Sequence, residues 1–179
     1  MILVLTGPVH GGKTTFLEGS LARWASRGFA LGGFLSVAVT GGSGTPGYDL
    51  LELKTGRRHP YLRREGEPDA ERIGPFFFVP STLERARSII REAGPHELLI
   101  VDEVGPLELR GGGLWPVLRE ALTLPGMRCL LVAREEILED VVAALGPRGP
   151  LIFDVRDPNV RKLVDESLVG TVKVDDGQS

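Results

Sequence analysis

The chain has 179 residues, of which 42% are hydrophobic and 25% are charged, and a formal net charge of −3 at pH 7. This length and composition predict one globular domain with its own core, and the acidic balance gives no field that would draw nucleic acid or a membrane surface. No apolar run approaches the roughly 20 residues that a membrane-spanning helix needs, and no basic leader precedes the first apolar run, so a cytoplasmic location is expected.

The first predicted element is a strand of about residues 2–6, which leads into a loop that fits the phosphate-binding pattern G-x-x-x-x-G-K-[ST]. Glycines let such a loop turn successive N–H groups inward toward phosphate oxygens. The Lys13 ammonium suits the β- and γ-phosphates, and the Thr14 hydroxyl suits one position on Mg²⁺. The candidate phosphate-binding residues are Gly7, Pro8, Val9, His10, Gly11, Gly12, Lys13, Thr14 and Thr15.

A chance match to this short pattern is the alternative, and the flanking residues argue against it. Residues 1–5 form an unbroken apolar run of the kind found in buried parallel strands. After the loop, apolar residues recur at helical spacing as far as Ala25, and Gly28 provides a stop. A strand, a loop and a helix in this order are the context that a phosphate loop requires.

The next segments predict an antiparallel hairpin at the edge of the sheet. Its strands are residues 32–40 and 48–53, with a glycine-rich turn at 41–47. The basic stretch 57–68 follows, and two interpretations stay open for it. Exposed arginines are usually solvated, which favours a surface loop or a short strand. Alternatively, the stretch from Arg57 to Arg64 is a mobile lid that brings a guanidinium to the γ-phosphate.

Residues 76–79 predict a short strand whose phenylalanines pack in the core in preference to stacking on a base. A helix is expected directly afterwards. Ser81 is its predicted N-cap and Glu84 the capping-box partner, because this spacing lets the two side chains bind backbone N–H groups reciprocally.

The second decisive stretch is the apolar strand of residues 97–102, which delivers two acids to its carboxyl end, where ligands of open α/β sheets bind. Asp102 is therefore a candidate Mg²⁺ residue together with Thr14, placed to bind a water of the metal's shell. Glu103 is a candidate catalytic carboxylate that orients or deprotonates the attacking water. The alternative is that the acids only begin a surface loop, and the upstream phosphate loop disfavours it.

The rest of the chain alternates helices and strands as far as residue 168. The helices are predicted at about 114–124, 137–145 and 159–168, and the strands at 128–133 and 151–155. The single cysteine, Cys129, lies in the first of these strands and is expected to be a buried, inert thiol. Residues 1–168 are predicted to form a single domain, and the polar residues 169–179 a tail that frays.

Alternating strands and helices with short turns predict a mainly parallel sheet covered by helices on both faces. A glutamate directly after the metal-binding aspartate is typical of RecA/ASCE-like P-loop NTPases, in which another strand lies between the two motif strands. Residues 128–133 are therefore expected between strand 2–6 and strand 97–102. This order would bring Arg134 beside the γ-phosphate as a further catalytic candidate, unless Arg134 only ends its strand in solvent.

The two motifs together resemble the cancer-related nucleoside-triphosphatase family, first known from thermophiles. The family pattern is a phosphate loop followed by an Asp-Glu-Ile-Gly-x-Met-Glu-Leu run, and this chain has a similar run at residues 102–109. Residues 48–51, 73–79 and 153–155 also resemble family segments, so the likeness covers nearly all of residues 1–165.

The resemblance implies Mg²⁺-dependent hydrolysis of nucleoside triphosphates with a broad base preference. By position it implies phosphate binding by residues 7–14, metal binding by Thr14 and Asp102, and catalysis by Glu103. Glu108 matches a family glutamate, but the resemblance gives it no chemical role.

The chain departs from the family pattern at three places. His10 stands where the family has a small or aliphatic residue, residues 36–38 replace a frequent Thr-x-Glu, and Val160 replaces the arginine that usually follows Asn159. These departures concern base recognition and the arginines, and they leave the phosphate chemistry intact.

Two other functions stay open at this point. A small-molecule or nucleotide kinase would use the stretch from Arg57 to Arg64 as a lid over a second substrate, although no acceptor motif is evident. A nucleotide-dependent switch would turn over slowly and bind a protein partner in the triphosphate state. The sequence indicates no particular protein partner.

Overall fold

The computed structural model of the protein describes residues 1–41, 44–67, 69–147 and 149–170. Its strands are β1 Ile2–Thr6, β2 Ala30–Ala38, β3 Gly47–Glu52, β4 Arg58–Arg63, β5 Arg72–Ile73, β6 Phe76–Phe78, β7 Glu97–Val104, β8 Arg128–Ala133 and β9 Leu151–Asp154. Its helices are α1 Lys13–Ser26, α2 Pro80–Arg91, α3 Pro106–Leu109, α4 Trp115–Thr123, α5 Leu138–Leu145 and α6 Val160–Gly170, and a 3-10 turn covers Glu135–Ile137. Residues 42–43 of the predicted turn and residues 171–179 of the predicted tail lie outside the described residues.

The strands of the described residues form one sheet in the order β5-β6-β4-β3-β2-β7-β8-β1-β9. β8 lies between β1 and β7 and pairs in parallel with both, which confirms the predicted position of residues 128–133. Parallel pairing continues to β9 on one side and to β2 on the other. The ends of β1 and β7, where the phosphate-binding pattern and the two acids lie, therefore meet at one edge of the sheet.

The prediction of a mainly parallel sheet with one appended hairpin is wrong in its proportions. β2 turns back into β3, and β4, β6 and β5 extend the sheet by antiparallel pairing, so parallel and antiparallel pairings are equally represented. Strand β4 is hard to recognise within the charged stretch 57–68. The two buried residues of β4, Tyr61 and Leu62, are adjacent and flanked by exposed and half-exposed residues, so the strand shows no apolar alternation. Among the interpretations left open for this stretch, the structure agrees with the short strand, since residues 58–63 form β4.

Apolar residues on both faces of the sheet build two core layers. In β7, Leu98 and Ile100 point to the layer that contains α1 and α6, whereas Leu99 and Val101 point to the layer that contains α2, α4 and α5. All four side chains are fully buried. Successive side chains of a strand point to opposite faces, so a strand covered on both sides needs an unbroken apolar run. Because of this requirement, the central strands can be predicted from their apolar runs in the sequence.

Helix α2 has a different cap from the one predicted. Pro80 occupies its first turn and Val79 is the N-cap, so Ser81 lies inside the helix and the prediction of a Ser81–Glu84 capping box is wrong. Proline suits the first turn because its missing N–H would have no helical partner there. The predicted buried face is found, with Leu83, Ala86, Ile89 and Ile90 in the core.

None of the helices formed by the described residues is long and apolar enough to cross a membrane. Cys129 is fully buried in β8, and burial raises the pKa of its thiol above the ordinary value. A protonated thiol is a poor nucleophile, so Cys129 serves packing, as predicted.

We expect Gly33→Ala to destabilise the protein far more than Gly28→Ala. Both glycines have positive φ, 91° and 85°, and an alanine pays about 1–2 kcal/mol for that conformation. A Cβ at Gly33 would also lie 1.9 Å from the carbonyl oxygen of Ile100 on the paired strand β7, whereas a Cβ at Gly28 meets no atom within 4 Å among the described residues. Urea unfolding should show a difference between the variants of roughly 2 kcal/mol or more. Equal losses would contradict the close approach of β2 to β7.

Candidate active site

A cavity of about 370 Å³ lies at the carboxyl edge of the parallel strands. This main cavity is lined by residues 9–15 of the loop and α1, by residues 36–38 at the end of β2, and by Tyr48 of β3. Further polar residues in its lining are Asp102 and Glu103 on β7, Arg134 directly after β8, Glu18 on α1 and Thr45 before β3. The structure thus brings the predicted loop, metal and catalytic residues together around one space, although Gly7 and Pro8 lie behind it.

The Lys13 side chain closes the phosphate loop on itself. Its ammonium donates to the carbonyl oxygens of Gly7 at 2.9 Å and Pro8 at 2.7 Å. Lys13 is 9% exposed, and burial lowers the pKa of its ammonium. An ammonium has three donors, so the two bonds to the loop leave one for an anion in the cavity.

His10 occupies the loop position at which the family pattern has a small or aliphatic residue. It adopts φ 59° and is the single non-glycine residue with positive φ among those described. Backbone of this kind costs free energy for a residue with a Cβ and is often found at ligand-binding loops. The His10 side chain is exposed at the mouth of the main cavity, beside Val9, which is 45% exposed.

The Asp102 carboxylate connects the phosphate loop to the strand that carries the acids. The Thr14 hydroxyl donates to its Oδ2 at 2.9 Å, and the backbone N–H of Ser36 donates to the same oxygen at 3.2 Å. Asp102 is 3% exposed, and burial raises its pKa to about 7, against the opposing effect of these two hydrogen bonds. A buried carboxylate with so few partners favours a cation beside it.

The residues present fit a magnesium ion that is held largely by its substrate. Within the described part of the chain, no group of three or more His, Cys, Asp or Glu side chains is placed to hold a metal by itself. Thr14 and Asp102 supply two adjacent oxygens. Mg²⁺ prefers oxygen ligands and commonly takes one or two from protein, with phosphate oxygens and waters completing the shell.

Glu103 lies at the same strand end and is paired with Arg134. The Arg134 Nε donates to Glu103 Oε1, and the side chains are 39% and 30% exposed. Half-exposed ion pairs of this kind contribute about 1 kcal/mol or less, so the pair can rearrange at small cost. The pair brings together the two residues that sequence reasoning had proposed separately as catalytic.

Sequence reasoning missed the contributions of β2 and β3 to the site. Ser36 and Tyr48 line the main cavity because β2 pairs with β7 and β3 pairs with β2. One feature of the sequence could have indicated the contribution of β2. Residues 36–38 occupy the positions at which the family named above frequently has Thr-x-Glu. A pairing between strands that are about sixty residues apart in sequence leaves no local pattern.

The arginines between residues 57 and 64 do not line the main cavity. Arg63 donates to an Asp49 carboxylate oxygen at 2.6 Å and to the Tyr48 carbonyl at 2.7 Å. Arg64 donates to the Thr45 carbonyl at 3.2 Å. These two arginines hold β4 to the neighbouring β3 segment, so the structure gives them a bracing role in place of the lid.

Glu108, whose role the sequence left open, is a buried carboxylate that fastens the segment after β7. It is 2% exposed, accepts the backbone N–H of Gly105 at 3.0 Å and that of Leu114 at 3.2 Å, and burial raises its pKa. At Gly113, beside Leu114, a Cβ would come within 2.1 Å of Glu108 Oε1. Glu108 therefore holds the start of α3 against the start of α4, directly behind the strand end that carries Glu103.

A glycine-rich loop whose lysine and threonine lie beside the acids of a second strand defines a P-loop NTPase. The sequence model of the family described as NTPase matches residues 2–168, and the chain belongs to this family. Its enzyme class is therefore that of a nucleoside-triphosphatase.

Individual relatives agree with this assignment. The chain is 28% identical over 172 residues to the nucleoside-triphosphatase THEP1 of Hyperthermus butylicus, which covers 96% of this chain and 90% of the relative. It is 30% identical over 121 residues to the nucleoside-triphosphatase THEP1 of Thermofilum pendens, which covers 66% of each chain. The solution structure of a human cancer-related nucleoside triphosphatase matches with a TM-score of 0.73 and 25% identity, covering 98% of both chains. The family resemblance stated from the two motifs is confirmed.

We expect Glu108→Ala to lower the free energy of unfolding by roughly 2–5 kcal/mol, because it leaves two buried N–H groups without their acceptor at about 1–3 kcal/mol each. Glu120→Ala is the control, since Glu120 is exposed on α4 and its loss should stay within about 0.5 kcal/mol. Urea unfolding of both variants measures the difference. Similar small losses would show that Glu108 does not fasten α3 to α4.

Proposed function

We propose that the protein hydrolyses nucleoside 5′-triphosphates to the diphosphate and phosphate in a Mg²⁺-dependent reaction with broad base preference. The observation that carries this proposal is the contact of Thr14 with Asp102, next to Lys13 on one side and Glu103 on the other. The three elements of phosphoryl transfer, which are an anion cradle, a metal site and a carboxylate for the nucleophile, then share one cavity.

The phosphate loop supplies binding. Backbone N–H groups of residues 12–15, at the N-terminus of α1, suit the oxygens of a polyanion, and the helix dipole adds to this attraction. Lys13 neutralises charge on the β- and γ-phosphates through the donor that it does not use on the loop. These groups bind phosphate without contacting a base.

Thr14 and Asp102 are the residues that would hold Mg²⁺. Bound there, the ion would offset the negative charge that develops on the phosphate oxygens during the reaction. Asp102 contributes as a carboxylate, and because burial raises its pKa to about 7, a cation bound beside it would favour the charged form.

Glu103 orients the attacking water toward the γ-phosphorus. A carboxylate next to the metal-binding aspartate lies at the terminal phosphate when the triphosphate follows the loop, and it accepts the proton of the attacking water. Arg134 holds Glu103 in place, and its half-exposed guanidinium is also near enough to the cavity to stabilise charge on the γ-phosphoryl group.

The broad base preference rests on two supports. The site residues to which a role is given all serve the phosphates, the metal or the attacking water, and the relatives are named for nucleoside triphosphates without mention of one base. We further propose that turnover requires neither nucleic acid nor a membrane, since the chain is slightly acidic. The cytoplasmic location stays a prediction from the sequence.

We expect Glu103→Gln to lower kcat by roughly 100-fold or more while nucleotide affinity stays unchanged, because the amide cannot accept the proton of water. Glu139→Gln is the matched control, since Glu139 is exposed on α5 away from the cavity. Phosphate release and calorimetric nucleotide binding provide the two measurements. Hydrolysis by the Glu103 variant at the parental rate would show that another group positions the water.

Turnover of ATP, GTP, CTP and UTP with Mg²⁺ tests substrate and metal together. We expect kcat/KM values within about tenfold of one another, equivalent to ~1.4 kcal/mol of discrimination, and no turnover when the metal is chelated. A preference for one base of several hundredfold would indicate a base-reading contact in the site. Full activity in excess chelator would remove the roles given to Thr14 and Asp102.

A further inference from the structure

A second cavity, of about 130 Å³, adjoins the main cavity. We call it the side cavity. Ser36, Tyr48, Glu103 and Arg134 line both spaces, so the two are continuous along these residues. The Glu103–Arg134 pair therefore stands at the junction, with one face toward the phosphate loop and the other toward the side cavity.

The walls of the side cavity come from the antiparallel half of the sheet. They include Tyr48 of β3, Leu62 of β4 and residues 73–76 around the turn between β5 and β6. The rings of Tyr48 and Phe76 meet edge to face with centroids 5.4 Å apart, and the guanidinium of Arg64 lies 5.2 Å from the Phe76 centroid. The basic stretch thus supports an aromatic wall.

The side cavity adjoins the carboxylate that the proposed function places at the γ-phosphorus, because Glu103 lines it as well as the main cavity. None of the residues that line it belongs to the phosphate loop, so it extends from Glu103 away from the proposed triphosphate. In-line displacement requires the attacking oxygen to come from the side opposite the leaving diphosphate. In the proposed function that side is the position of Glu103.

We propose that the side cavity is an acceptor subsite, which lets the protein transfer the γ-phosphoryl group to a hydroxyl of a small polyol in competition with water. This proposal rests on the proposed function, because it uses the same triphosphate site and the same carboxylate. It adds phosphotransferase activity to hydrolysis. In this proposal the antiparallel extension of the sheet forms the wall that binds the acceptor.

The size and lining of the side cavity define the acceptor. A volume of 130 Å³ equals about four water molecules at ~30 Å³ each, which suits a compound of the size of glycerol or the hydroxymethyl end of a larger polyol. Ser36, Glu103 and Arg134 offer polar groups at the end near the phosphate, and Leu62, Ile73 and the aromatic pair offer apolar contact to carbon atoms.

The transfer step balances without any further reactant. The acceptor hydroxyl oxygen forms a bond to the γ-phosphorus, and its proton passes to the Glu103 carboxylate. The bond between the γ-phosphorus and the bridging oxygen breaks, and the diphosphate leaves with the electron pair. The products are a phosphate monoester and a nucleoside diphosphate, and Glu103 later gives its proton to solvent.

Phosphorus NMR of the full chain with Mg²⁺, ATP and increasing glycerol tests the proposal in one sample. We expect glycerol phosphate beside inorganic phosphate, with a ratio that saturates as glycerol fills the side cavity. Inorganic phosphate alone at every glycerol concentration would refute the acceptor subsite and leave the proposed hydrolysis intact. If neither product forms while the protein is folded, the proposed function fails as well.

A matched pair of variants locates the acceptor. Ile73→Phe places a larger side chain in the wall of the side cavity and should lower the ratio of glycerol phosphate to phosphate about tenfold, because the acceptor can no longer be held for in-line attack. Ile152→Phe makes the same change on β9, at the opposite edge of the sheet, and should leave the ratio unaltered. A ratio that is equal in both variants would contradict the assignment.

A third variant keeps the test independent of how Ile73→Phe folds. Phe76→Leu widens the side cavity, so we expect transfer to the five-carbon polyol xylitol to rise relative to transfer to glycerol. An unchanged preference in a folded Phe76→Leu protein would count against the side cavity as the place where acceptors bind.

Discussion

The hydrogen bond from the Thr14 hydroxyl to the Asp102 carboxylate is the contact on which the rest of the site depends. It joins the first turn of α1 to the end of β7, although β8 lies between the two motif strands. Because these strands are apolar and covered on both faces, neither end can shift without breaking the core. The Asp102 carboxylate is buried, and its hydrogen bonds with Thr14 and Ser36 offset only part of the cost of burying a charge. The sheet therefore sets the distance between the phosphate loop and the acids, and the burial of Asp102 favours a cation beside it.

Around this contact, the charged side chains differ in how freely they can move. Glu108 is buried and held by fixed backbone N–H groups, which makes it part of the frame. Glu103 and Arg134 are half exposed and bound mainly to each other. A frame that holds Thr14, Asp102 and the loop rigidly, with an adaptable ion pair beside them, suits a reaction whose catalysis is almost entirely positioning and electrostatics.

The antiparallel half of the sheet adds to this nucleoside-triphosphatase a feature that the phosphate loop and the two acids do not supply. Its strands bring Tyr48 and Phe76 up to the Glu103–Arg134 pair and leave a second space beyond Glu103. Water reaches any exposed carboxylate, and so hydrolysis alone would not need this space. Its apolar and aromatic walls connect the hydrolase chemistry to the transfer chemistry proposed for the same residues.

The sequence by itself determined the elements whose information is local. The loop pattern identified Lys13 and Thr14 as phosphate and metal candidates. The unbroken apolar runs predicted the strands β1, β7 and β8, and the two acids at the end of β7 predicted where on the sheet the site lies. It even gave the position of β8, since a glutamate after the metal aspartate is tied to one strand order. Tertiary structure alone decided that the antiparallel part continues past the predicted hairpin into β4, β6 and β5. It also decided the position of Ser36 and Tyr48 in the site and the role of Glu108. The physical reason is that these depend on pairing and burial between segments far apart in the chain, where hydrogen bonds such as that of Glu108 with Leu114 leave no periodicity to detect.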